Sequence, residues 1–150
     1  MSQYANVQKT IVVQGPVAAG TSDITGASVV DMSDYEEVTF IFSFGALTTG
    51  QVTKTRVASS NTNPPATDTT ADLAGSGITL TDNVGPHTNV IVTINKPLLR
   101  YVLPWIDRGT QNAVLNSITA ILRGPKKMPI TADTTIQATT KLVSPAIGAA

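Results

Sequence analysis

The chain reads as an all-β protein, a sandwich or barrel of short strands. Three observations predict this. Threonine is the commonest side chain, followed by alanine and valine, and Thr and Val are stiff at χ1 and favour strands. Their short runs recur between turn signals. The segment "EVTFIFSF", residues 37–44, alternates cleanly, with Val38, Phe40, Phe42 and Phe44 on one face and Thr39 and Ser43 on the other.

Taken in order, residues 1–20 hold one short apolar run, "TIVVQG", and are expected to form an N-terminal arm and first strand. Residues 21–128 are expected to form the body. The strand at 37–44 is followed by the turn "GALTTG". "QVTKTRVA", residues 51–58, then reads as its antiparallel partner, with Lys54 and Arg56 together on a solvent face or protecting an edge. Residues 59–77 are polar and carry a Pro-Pro pair, so they read as an exposed loop. "ITLTD" resumes a strand, and "NVIVTIN" places Val90, Val92 and Ile94 on one face.

In the next strand Leu99, Tyr101, Leu103 and Trp105 fall together and are read as the covered face. Arg100 and Pro104 are placed opposite, the proline implying an edge or a bulge. Residues 113–122 fit both a strand and a helical spacing, and the β character of the rest favours strand. Residues 129–150 have no clean period and few charges; ends of this kind are usually disordered in the free protein, and the functional reading is an extended C-terminal arm that docks on a neighbour.

Composition narrows the role. The chain has 150 residues, ten basic and ten acidic side chains, and no cysteine. Zero net charge argues against specific nucleic-acid binding, which needs clustered cations. Charged residues make up 13%, against about 25% in an average soluble domain. Such a surface suits a subunit packed against others. No apolar run approaches the ~20 residues that span a bilayer, so no membrane is expected. The polar start "MSQYANVQKT" lacks the pattern of a signal peptide.

Residues able to do chemistry are sparse, and no cofactor or enzymatic activity is expected. His87, the one histidine, lies in the turn "GPHTN" and reads as a solvated loop residue. Asp31, Asp34, Glu36 and Glu37 cluster in "DMSDYEEV", which reads as an acidic turn before a strand ahead of a calcium site. Lys126 and Lys127 in "GPKK" can touch phosphate or simply keep a strand end soluble. Trp105 and Tyr101 read as core rather than as a sugar-stacking platform.

Four pieces of the chain carry a resemblance: "VDMSDYEEVTFIFSFG", "ADLAGSGITLTD", "INKPLLRYVLPWIDRGTQNAV" and "ILRGPKKMP". In order and spacing, over residues 30–129, they resemble the head decoration, or cement, proteins of tailed bacteriophages. Leu103 departs from that pattern, standing where an arginine is common. The resemblance implies a single β-sandwich of jelly-roll type with about eight strands and extended arms. It implies a structural virion protein on the outer capsid surface, made in the host bacterial cytoplasm. Its partner would be the major capsid protein, and it would form a homo-dimer or homo-trimer. The alternative is a tail or receptor-binding sandwich that binds host glycans. Candidate partner-binding residues are Ile11, Val12 and Val13 in the first arm and Arg100, Pro104, Lys126 and Lys127 in the body. Ile130, Ile136, Leu142 and Val143 are those of the last arm.

Overall fold

The computed structural model describes residues 7–81, 87–110 and 113–138. Among these residues nine strands form two antiparallel sheets: β1 (Gln8–Gln14), β2 (Val17–Gly20), β3 (Val30–Asp31), β4 (Glu37–Leu47), β5 (Thr53–Ser60), β6 (Ile78–Thr79), β7 (Thr88–Asn95), β8 (Tyr101–Arg108) and β9 (Ala113–Arg123). Among the described residues no helix is long and apolar enough to cross a membrane.

The larger sheet runs β1-β9-β4-β7, with β2 continuing beside β9, and the smaller runs β3-β8-β5-β6. The pairs β1/β9, β3/β8, β4/β7 and β5/β6 are nested, as if one long ribbon of paired strands had been rolled up. That nesting is the jelly-roll arrangement of a double-sheet sandwich. Residues 113–122 are strand, in β9, the central partner of β1 and β4.

The core lies between the sheets. Val38, Phe40, Phe42 and Phe44 of β4 are buried there, as their alternation predicts, with Val90 and Val92 of β7 and Leu115, Ile118 and Leu122 of β9. Phe40 and Phe42 approach in a tilted pair, 6.4 Å between ring centroids, a geometry aromatic rings prefer.

Three sequence expectations need correction. First, β4 does not pair with the segment that follows it. It pairs with β7 and β9, while β5 lies in the other sheet between β8 and β6. The "GALTTG" segment therefore crosses between layers instead of closing a hairpin. Nested pairing brings together strands distant in sequence, which adjacency cannot anticipate.

Second, the faces of β8 are reversed. Val102 and Ile106 join the core, and Pro104 sits between them opposite the inward-facing Val57. Tyr101, Leu103 and Trp105 stand on the outer face, yet Trp105 is only 4% exposed and Leu103 is buried too. Both faces are covered, so polarity does not alternate and periodicity cannot tell them apart. β8 is an inner strand, between β3 and β5, and not the edge that the proline implied; the proline is accommodated by a local gap. Ile106 exchanges backbone hydrogen bonds with Ile24 on the β3 side, so Pro104, two residues earlier, aims its nitrogen at the same side. There the partners are Ile24 and Val30, paired to Ile106 and Val102, and the space opposite Pro104 is unpaired.

Third, residues 59–77 are not simply an exposed loop. The chain turns at Asn61–Asn63, all exposed, and returns along β5. Ser59 N–H donates to Ala71 O, and Leu73 N–H donates to Val57 O. The hydroxyl of the buried Ser76 accepts from Val57 N–H at 3.1 Å. Polar composition serves here to satisfy the backbone of a strand margin.

The first strand is part of the sheet. β1 pairs with β9 from Gln8↔Arg123 onward, and Val13 is in the core. The start of the last arm lies along its free side, where Val12 N–H donates to Thr135 Oγ1 at 3.0 Å and Lys9 pairs with Asp133 at 3.6 Å.

Candidate functional site

One end of the sandwich gathers segments far apart in sequence. β3 and β4 are joined by Met32–Glu36, β7 and β8 by Lys96–Arg100, and β9 runs into Gly124–Lys127. Antiparallel pairing puts the end of β9 beside the start of β4 and the start of β8 beside β3. The three connections therefore meet. They line a cavity of about 450 Å³ bounded by Met32, Tyr35, Glu36, Asn61, Lys96–Arg100 and Lys126.

Each wall has a local cause. Lys126 N–H donates to Asp34 O at 2.8 Å and its ammonium donates to Ser33 O at 2.8 Å. This pins the "GPKK" turn to the acidic turn. Gly124 makes the approach possible: its φ is +63° and a Cβ there would lie 3.0 Å from Glu36 Cβ, a conformation and a clearance that glycine tolerates. Arg100 forks onto Asp31, with Nε at 3.0 Å from Oδ1 and Nη2 at 2.7 Å from Oδ2. The Arg100 guanidinium beside Asp31 holds that carboxyl well below the usual range, at about 2, against a smaller opposing effect of burial. The same guanidinium lies over the Tyr101 ring at 5.0 Å.

The loop between β7 and β8 stands proud of this surface. Lys96 is held at φ 50°, uncommon for a residue other than glycine, while its N–H donates to Glu36 O at 2.7 Å. Pro97 follows, and Leu98 is 98% exposed. On the other side of the same loop a second groove, about 370 Å³, separates Val92–Leu98 from Leu73–Ser76.

The residues singled out from sequence divide accordingly. Arg100 and Lys126 come together at the cavity, with Lys127 exposed beside them. Pro104 and Val13 are buried and present no surface. Ile11 packs against the core and Val12 is half-buried, both in β1. Ile130 and Ile136 are half-buried in the segment beside β1. Leu142 and Val143 lie outside the described residues.

Trp105 offers no stacking platform. Its Nε1–H donates to Asp72 Oδ1 at 2.8 Å, and the Arg56 guanidinium lies over its ring at 5.4 Å. Arg56, read from sequence as a solvent-facing edge residue, instead bridges Asp72 at 2.8 Å and Asp107 at 3.2 Å. Burial works against its charge, but the two carboxylates outweigh that and raise its pKa. His87 is exposed ahead of β7. Asp31 and Glu37 of the acidic cluster face Arg100 and Arg123. Among the described residues no group of three or more His, Asp or Glu side chains is arranged to hold a metal ion.

Two features escaped the sequence reading. Leu98 was not singled out, and only its exposure marks it. Arg108 was not singled out either, yet it is 7% exposed and faces inward at the opposite end of β8. Its guanidinium donates to the carbonyls of Ser22, Ala18 and Ala113 at 2.6, 3.0 and 2.8 Å.

No family model matches this chain. No curated protein matches it either. Among solved structures it is similar to the SPBc2 prophage-derived protein YomS, at 14% identity and a TM-score of 0.46, over 78% of this chain and 93% of that one. Likeness at this level says nothing about role.

Proposed function

We propose that this chain is a capsid decoration protein of a tailed bacteriophage, a structural component without catalytic activity. It binds the outer surface of the assembled shell and bridges neighbouring major capsid subunits. The observation that carries the reading is a convergence. The pieces of sequence that resemble decoration proteins supply the acidic turn, the "KPLL" loop, the "GPKK" turn and the "DLAG" return, and these four line two adjoining grooves around Leu98. A nearly fully exposed leucine flanked by Lys96, Arg100 and Lys126 suits an apolar anchor with a polar rim.

The mechanism is mass action. A protein that binds the completed shell and not its free subunits stabilises the shell in proportion to occupancy. Several modest contacts per oligomer multiply in effect. Low surface charge reduces repulsion between crowded copies on one particle.

The test uses purified expanded shells and unassembled capsid subunits. The protein should co-sediment with shells, fail to bind free subunits, and raise the temperature at which shells rupture. Leu98→Ser should abolish co-sedimentation while the protein stays folded. Equal binding by the variant, or shells that rupture at the same temperature with and without the protein, would overturn the reading.

A further inference from the structure

The strands at the sheet margins are not treated alike. β3 and β6 are two residues long. β1 shifts register between Val12 and Gln14, carries Lys9, and is covered at Val12 by Thr135. Short edges, bulges, lysines and covering segments are the devices by which folded proteins prevent edge-to-edge pairing.

Among the described residues β7 has none of them. It is eight residues long, "TNVIVTIN", without proline or charge. Its register against β4 is unbroken from Glu37↔Asn95 to Phe44↔Thr88. Lys96 N–H bonds back to Glu36 O. By the alternation of an antiparallel ladder, Ile94, Val92 and Val90 bond to β4, and Asn89, Ile91, Thr93 and Asn95 turn their N–H and C=O groups outward. Among the described residues no backbone group meets them. The groove beside Leu73–Ser76 keeps the second half of this edge open. Ile91 also leaves an apolar side chain 61% exposed.

The edge is complementary to itself. Read outward from Val92, the segment is nearly palindromic: Ile91 and Thr93, Val90 and Ile94, Asn89 and Asn95. We propose that a second copy of this chain pairs its β7 against this one, antiparallel about a two-fold axis at Val92. Ile91 then lies opposite the partner's Thr93 on the outer face, and Val90 opposite its Ile94 toward the core. The outward-turned groups of Asn89, Ile91, Thr93 and Asn95 become hydrogen-bonded pairs, and the larger sheets of both copies become one. The contact is isologous, as a two-fold dimer requires. It forms without any shell present, so it stands or falls separately from the capsid reading.

Sedimentation equilibrium on the full chain tests it. The protein should weigh twice its 15.6 kDa at micromolar concentration. Ile91→Pro should weigh that of a single chain with an unchanged circular dichroism spectrum, because the lost N–H points away from β4. The chain has no cysteine, so Ile91→Cys with Thr93→Cys should give a disulfide-linked dimer on oxidation, read on a non-reducing gel. A monomeric wild type, a trimer, or a dimer that survives Ile91→Pro would overturn the proposal. If Ile91→Pro does not fold, failure of the double-cysteine variant to cross-link does so alone.

Discussion

One arginine ends β8 and another immediately precedes it, and the two are held in opposite ways. Arg108 points inward and is ringed by the carbonyls of Ala18, Ser22 and Ala113, which belong to β2, the segment after it, and β9. It thus ties the smaller sheet to the larger. Its own N–H donates to Asp23 Oδ1 at 2.9 Å. Burial pushes the guanidinium pKa down, and the Asp23 charge pulls it back up; arginine keeps its proton regardless. Arg100, eight residues earlier in the chain, lies in solvent and holds one exposed carboxylate, Asp31. One end of the sandwich is therefore locked and the other open. The open end is where exposed leucine and unburied cations sit, so the shell contact proposed there would not require the core to move.

Removing the lock should have the largest effect. Arg108→Met leaves three carbonyls without donors and Asp23 without its countercharge, which costs about 3–5 kcal/mol. Denaturant unfolding should show a lower midpoint at unchanged slope. Arg100→Met, its counterpart, should leave the midpoint nearly unchanged, because solvent screens an exposed pair. Equal losses at the two positions would break the contrast.

Asp72→Ala comes next. It removes the acceptor of Trp105 and one of the two carboxylates of Arg56, for a loss of about 1–3 kcal/mol. The tryptophan should become more accessible to acrylamide quenching, because Asp72 holds the return segment to the indole. Unchanged quenching would mean that other contacts hold that segment.

The Asp31–Arg100 pair gives a pH signature at the open end. Asp31 is about 2 when folded, below its ordinary value of 3.8. The unfolded chain therefore takes up that proton first as pH falls. The pair's contribution is complete above about pH 4 and is lost toward pH 2. Thermal unfolding of wild type and Arg100→Met should converge across that window; parallel curves would assign the acid transition to other carboxylates.

The smallest stability effect belongs to the exposed leucine. Leu98→Ser should change stability by less than about 0.5 kcal/mol, even though it is expected to abolish shell binding. A large loss of stability would place Leu98 in packing instead of recognition.

Much of the body was legible from residues alone. Phe40, Phe42 and Phe44 announced a strand and its buried face, because period-two alternation records a sheet with one wet side. Val90, Val92 and Ile94 did the same for β7. The resemblance pointed to the nested topology, which adjacency of strands contradicted for β4 and β5. Where both faces are covered the pattern failed: Leu103 and Trp105 looked more like core than Val102, Pro104 and Ile106, yet they lie on the outer face. The candidate end was half legible. Arg100 and Lys126 were singled out, but nothing in either motif says that the other lies across the same cavity.

The sequence by itself determined that this chain makes strands and which of its half-covered strands turn their phenylalanines and valines inward. Side-chain stiffness and alternation are local, so residues a few positions apart suffice to fix them. Only the tertiary structure decided which strands pair, that Arg108 is enclosed while Leu98 is left bare, and that, among the described residues, β7 alone of the marginal strands is long and undefended. Those outcomes depend on which distant segments close over a residue, and that is a property of the rolled ribbon as a whole.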